Sequence, residues 1–252
     1  MLRQNTAVEK IVESLKQDKS VQAIFLKGSM GRNEQDEHSD IDLYCLVHKE
    51  HEEQFLSRRL NHLQAYREII FYDDIFIIAP QIITVFDDML HIDLFTVTRE
   101  SFVGKDYFKV LYDPSHLLDE FSDTQGLSLS DTEYCDDVYD VAWFLFQYKK
   151  MLARGNDIWE VRMLTNVMYH LGRVLLHRYV PERAQLGLKT IEKSLPSSLV
   201  AELEQIFENI TPSHHKKAAA QIRRLVKKEL DWIKLNISKD DQIIPFLEKM
   251  LE

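Results

Sequence analysis

The stretch FLKGSMGRNEQDEHSDIDLYCLV, Phe25 to Val47, sets a glycine- and serine-bearing loop between two apolar runs and enters the second run through two aspartates one residue apart. A chain that only had to turn needs few special residues, yet Gly28, Ser29, Gly31, Arg32, Asp40 and Asp42 all fall here. Successive side chains of a strand point to opposite faces, so Asp40 and Asp42 share one face while Ile41, Leu43, Cys45 and Val47 take the other. Carboxylates are disfavoured in a strand unless something compensates, which turns the pair into a candidate site. Glycine permits the close approach and unusual backbone angles of an anion-gripping loop; Ser29 adds a hydroxyl donor, and Lys27 and Arg32 add positive charge. A hard cation such as Mg²⁺ is held by one or two carboxylates together with substrate phosphates, so this loop followed by Asp40 and Asp42 makes sense as a nucleoside-triphosphate site.

Outward from this stretch, the chain divides into two regimes. Up to about residue 120 the apolar runs are short and β-rich: Val21–Leu26, Ile41–Val47, Ile75–Ala79, Ile82–Phe86, Leu90–Val97 and Phe108–Tyr112. Helical periods occur among them at about Thr6–Lys16 and His51–Tyr66. Pro80 and the Asp87-Asp88 pair fall where strands should turn, which predicts a meander whose last strand carries His91, Asp93 and Phe95 on one face. Leu90, Ile92 and Leu94 then face the core, and Asp93 becomes a third carboxylate able to converge with Asp40 and Asp42. An unpaired carboxylate in an apolar strand is costly, which favours a role for Asp93; His91 is read as a packing or edge residue.

After the polar connection FSDTQGLSLSDT, long helical periods follow: one opening at Asp131 or Thr132 and capped near Gly155, and one ending before Pro181. Three more are predicted at Ser198–Asn209, His214–Asn236 and Gln242–Leu251. The fold class expected is α+β, a mixed sheet domain with flanking helices over residues 1–122 followed by an α-helical bundle over 123–252. Trp143, Tyr148, Trp159 and Tyr169 are read as core, and Lys149, Arg154 and Glu160 as a solvated helix face. The basic run from His214 is read as the polar side of a bundle helix, with Leu225, Leu230 and Ile233 inward.

The 252 residues carry 41 acidic and 31 basic side chains, a net charge of −10. Phosphate backbones are held by Lys and Arg, so this balance argues against nucleic acid and suits a cationic small substrate. Cys45 and Cys135 are distant and lack metal-ligand spacing, and both are read as buried thiols. No apolar run of membrane-spanning length and no apolar leader is seen, which predicts a cytoplasmic protein without membrane partners.

Gly28-Ser29, ten intervening residues, Asp40-Ile41-Asp42 and a later strand bearing Asp93 together resemble the DNA polymerase β-like nucleotidyltransferase superfamily. The run ITVFDDMLHIDLFTVTRESF, then FKVLYDPSHLL and a helical domain, is similar to bacterial lincosamide and aminoglycoside nucleotidyltransferases. The resemblance spans residues of about 20 to 120, and more loosely about 140 to 180. It implies transfer of a nucleoside monophosphate, most often AMP from ATP, onto a small-molecule hydroxyl with release of pyrophosphate. By the same resemblance Asp40, Asp42 and Asp93 are the catalytic, Mg²⁺-binding carboxylates, with Asp93 a metal ligand, a general base or both. Gly28, Ser29, Arg32 and Ser39 are the nucleotide-binding residues, the acceptor binds between sheet domain and helices, and a homodimer is allowed. The superfamily also leaves open a nucleotide-binding regulatory or antitoxin-like protein, and an adenylyltransferase acting on protein or RNA.

Overall fold

The computed structural model describes residues 2–238 and 241–252. One compact unit reaches Gly126, and a second runs from Leu127 to Glu252.

In the first unit the elements are α1 (Arg3–Leu15), β1 (Val21–Leu26), α2 (Gly28–Gly31), β2 (Ile41–Val47), α3 (Glu52–Leu56), α4 (Arg59–Leu63), β3 (Ile69–Phe76), β4 (Pro80–Phe86), β5 (His91–Val97) and β6 (Lys109–Tyr112). The strands form one mixed sheet in the order β3-β4-β5-β2-β1-β6. β3, β4 and β5 make the expected antiparallel meander, β1 is antiparallel to both β2 and β6, and β2 runs parallel to β5.

The central strands are buried on both faces. On one, Ile24, Leu26, Ile41, Leu43, Cys45, Ile92 and Leu94 pack with Ala7, Val8, Ile11, Val12 and Leu15 of α1, whose spacing presents one apolar stripe. On the other, Phe25, Tyr44, Leu46, Phe95 and Val97 pack with Phe102 and Leu118. This second face is the one that Asp42 and Asp93 share by alternation.

Two predicted elements moved. The strand expected at Ile75–Ala79 is instead β3, ending at Phe76, while Ile77 to Ala79 form the hairpin connection. Pro80 has no N–H to give to a ladder, so it opens β4 opposite Phe76. The single helix expected from His51 to Tyr66 is broken between α3 and α4. There the Ser57 hydroxyl bonds the Gln54 carbonyl at 2.7 Å, and Arg58 reaches Asp18 through two bonds of 2.9 and 3.0 Å.

The second unit holds α5 (Asp131–Leu152), α6 (Asp157–Tyr179), α7 (Ile191–Ser194), α8 (Ser197–Glu208), α9 (His215–Leu235) and α10 (Ile243–Leu251), with 3₁₀ turns at Pro181–Lys189. The N-cap of α5 is Ser130 rather than the expected Asp131 or Thr132, because Glu133 closes a capping box on it. Gly155 takes φ +65° in the turn that follows α5. Leu225 and Ile233 of α9 are buried and Leu230 packs at the core margin, as the amphipathic pattern requires.

Three aromatic readings are corrected: Trp143, Trp159 and Tyr169 stand about half exposed, and of the four only Tyr148 is core. Helical spacing locates a face but does not say how far the neighbouring helix covers it. Cys45 is buried, whereas Cys135 is half-buried. Glu160 is fully buried rather than on a solvated face.

Candidate active site

The parallel pairing of β2 with β5 sets the site. Asp42 and Asp93 are register partners on adjacent strands, directly above the stacked partners Tyr44 and Phe95, whose rings lie 4.4 Å apart. Two carboxylates therefore stand side by side at the rim of an aromatic floor. Burial, and after it the charges of Asp42, Asp106 and Asp93, push the Tyr44 phenol well above its ordinary pKa.

Asp40 precedes β2 and is half-exposed. Between it and Asp93 stands His91, with Nε2 3.0 Å from Asp93 Oδ1 and Nδ1 3.9 Å from Asp40 Oδ2. The hydrogen bond to Asp93 raises the imidazole pKa; burial opposes this, and the charges of Asp93, Asp40 and Asp42 reinforce it. Asp40, His91 and Asp93 each offer a donor atom, all within 4.8 Å of one another. His91, read from the sequence as packing, is thus the link between two carboxylates. The signal that could have found it is its place two residues before Asp93 on the same strand face.

The turn after β1 is held against these groups. Lys27 N–H donates to the Asp42 carbonyl at 3.0 Å, tying the end of β1 to the start of β2. Gly28 has φ +58°, and a Cβ there would fall 1.8 Å from Asp42 Oδ2, so glycine is required both by conformation and by the carboxylate pressed against it. At Gly31 a Cβ would meet the Leu26 carbonyl oxygen at 2.8 Å, which keeps α2 tight on β1. The Ser29 hydroxyl is buried and makes no hydrogen bond. A buried hydroxyl left without a partner is costly, so Ser29 keeps an unused donor at this turn.

The positive charges of the turn are already engaged. Lys27 is buried over the Tyr44 and Phe102 rings and donates to the carbonyls of Val103 and Lys105. Burial pushes its pKa down, with Asp106 and Asp42 acting the other way. Arg32 Nη1 lies 3.1 Å from both oxygens of Asp106, and its Nε lies 3.1 Å from Glu34. Asp106 carries no motif in the sequence; it enters only because the fold brings the loop before β6 beside α2. The Ser39 hydroxyl is occupied by Asp36, accepting from its N–H at 3.0 Å and donating to its carboxylate at 3.1 Å. Ser39 nevertheless borders, with His38, Asp40 and His91, a cleft of about 220 Å³.

Asp40 and Asp93 offer hard oxygen donors and His91 an imidazole nitrogen, a partly exposed mixed set that fits a divalent cation; Asp42 stands beside it as the register partner of Asp93. Among the described residues no helix is long and apolar enough to cross a membrane.

Residues 9–86 match the protein family described as Polymerase beta, Nucleotidyltransferase. No curated protein matches the sequence closely enough to be called a relative. Among solved structures, an aminoglycoside 6-adenyltransferase from Bacillus subtilis is similar at 10% identity, with 98% of this chain and 96% of that chain covered and a TM-score of 0.40. A nucleotidyltransferase-like protein from Exiguobacterium sibiricum 255-15 is 12% identical over 92% and 78% of the two chains, with a TM-score of 0.41. The CD-NTase CdnG of Bradyrhizobium diazoefficiens, solved with GTP, is 12% identical over 100% and 94%, with a TM-score of 0.32. These structural likenesses are too remote to carry an argument about substrate. The family match runs from within α1 to the end of β4, the segment that builds the glycine turn and the Asp40-Asp42 strand, so this stretch of the chain is similar to the polymerase β-type nucleotidyltransferase domain.

Proposed function

We propose that the chain is a Mg²⁺-dependent enzyme that moves a nucleoside monophosphate, AMP from ATP, onto a hydroxyl of a small molecule and releases pyrophosphate. The observation that carries this reading is the register pairing of Asp42 with Asp93, with the Gly28–Ser29 turn pressed against the first of them. The net charge of −10 suits an acceptor bearing amines, which makes aminoglycoside or lincosamide antibiotics the acceptor class to test first.

In this reading Gly28 lets the backbone approach the triphosphate, and the Ser29 hydroxyl donates to one of its oxygens. Arg32, held in place by Asp106, balances phosphate charge from beside the turn. Ser39 fixes the chain entering Asp40 through its bonds to Asp36. Asp40, Asp42 and Asp93 hold the cation, and Asp93, its Oδ1 steadied by His91, receives the proton of the acceptor hydroxyl. A Mg²⁺ ion held by these residues would offset the triphosphate charge and supply electrostatic support for an in-line displacement at phosphorus. Tyr44 and Phe95 keep the floor beneath the carboxylates dry, which strengthens every charge interaction above it.

The test is incubation of the full chain with α-labelled ATP, the other nucleoside triphosphates, Mg²⁺ and a panel of aminoglycosides and lincosamides. The readouts are pyrophosphate release and a labelled product that Asp42→Asn abolishes. Label appearing on a protein or an RNA end redirects the acceptor, and absence of both transfer and nucleotide binding refutes the proposal.

A further inference from the structure

Away from the sheet, a second cluster of chemistry-bearing groups lies wholly within the helical unit. Asp157 and Glu160 are three residues apart in the first turns of α6 and therefore share one face. His215, the first residue of α9, stands against them: Nε2 is 3.3 Å from Asp157 Oδ1 and Nδ1 is 2.7 Å from Glu160 Oε2. The Tyr148 hydroxyl of α5 lies 3.1 Å from the same Nδ1. One donor atom from each of Asp157, Glu160 and His215 lies within 4.8 Å of the others.

What separates this from an ordinary ion pair is Glu160. Its side chain is 0% exposed, yet neither carboxylate oxygen makes a hydrogen bond, and the approach of Oε2 to His215 lacks hydrogen-bond geometry. A buried carboxylate is stable when its oxygens meet donors or a cation, and leaving them bare is among the costlier things a fold can do. Oε1 meets neither, while a donor atom of His215 and one of Asp157 lie within 4.8 Å of this carboxylate and of each other. Mg²⁺ prefers an all-oxygen shell, whereas an imidazole with two carboxylates suits Zn²⁺ and its first-row neighbours.

We propose that Asp157, Glu160 and His215 bind a zinc-class divalent cation that ties the start of α6 to the start of α9, separately from the sheet domain's carboxylates. Asp157, whose side chain is 56% exposed, is the ligand through which the ion enters from solvent. Three protein donors leave a position for water.

The experiment uses the full chain with Asp40→Asn and Asp93→Asn, which disables the sheet cluster, and titrates ZnCl₂ in the presence of excess Mg²⁺. Zinc is read by calorimetry and by metal analysis after dialysis. One zinc per chain is expected, with a rise in the thermal midpoint on zinc addition, because an ion bound only by the folded state stabilises it. Adding Glu160→Gln, which is nearly isosteric, or Asp157→Asn, which lies at the surface, weakens zinc binding at least about tenfold. Each also removes the thermal shift. Should Glu160→Gln fail to fold, Asp157→Asn alone decides. Zinc binding unchanged by Asp157→Asn, or no zinc bound in the Asp40→Asn, Asp93→Asn background, overturns the proposal and leaves the cluster a plain ion pair.

Discussion

Gly28→Ala tests the geometry of the site most directly. The added Cβ would sit 1.8 Å from Asp42 Oδ2, and real Cβ contacts are not shorter than about 3.0 Å, so the carboxylate must retreat by at least about 1.2 Å. The backbone at φ +58° adds the left-handed penalty of about 1–2 kcal/mol for a residue with a side chain. Misplacing a catalytic group by about 1 Å costs on the order of 10²-fold in rate, so nucleotidyl transfer should fall at least that far while the chain stays folded. Stability supplies an independent check through a double-mutant cycle in urea. In an Asp42→Ala background the clash disappears, and Gly28→Ala should then cost only the conformational term. The difference between the two backgrounds should be about 1–3 kcal/mol. Activity within twofold of the parent, or an equal stability cost in both backgrounds, refutes the claim that Gly28 is glycine because Asp42 lies against it.

Further outcomes follow from other residues of the same domain. Asp93→Asn should lower kcat by about 10²- to 10⁴-fold, the range of a lost general base, and pyrophosphate release with saturating ATP measures it. Ser29→Ala removes a buried hydroxyl that makes no hydrogen bond, so thermal stability should hold or rise. Its ATP affinity, read by calorimetry, should nevertheless drop on the order of tenfold, the worth of a hydrogen bond to a charged group. Burial works against ionisation of Asp18, but the Ser20 amide and hydroxyl, His62 and Arg58 outweigh it and hold the carboxyl below the usual range. The stability Asp18 contributes is therefore present at neutral pH and is lost as pH falls through the depressed pKa. Urea unfolding from about pH 6 to pH 2.5 should show a shallower acid slope for Asp18→Asn.

Much of the sheet was legible because its determinants are local. Val21–Leu26 and Ile41–Val47 occupy the residues their apolar runs predict, since each run is bounded by polar turns and buried on both faces. The alternation that groups His91 with Asp93 is a property of extended chain and needs no partner to be read, whereas Asp40 lies just before β2, outside its extended run. Where local signals conflicted the reading slipped. The apolar residues Ile70, Phe71 and Tyr72 belong to an edge strand and are exposed, so neither alternation nor burial marked β3. The helix expected from His51 is interrupted where the Ser57 hydroxyl takes the Gln54 carbonyl and Arg58 pairs with Asp18, forty positions away in sequence.

By itself the sequence determined which face of each strand bears carboxylates, that a glycine turn precedes the aspartate pair, and that a helical unit follows. Only the tertiary structure decided that β2 and β5 run parallel with Asp42 opposite Asp93, that His91 joins Asp93 to Asp40, and that Asp106 holds Arg32. Period and propensity act within a few residues, whereas register between strands fifty positions apart is set by which apolar faces can be buried together.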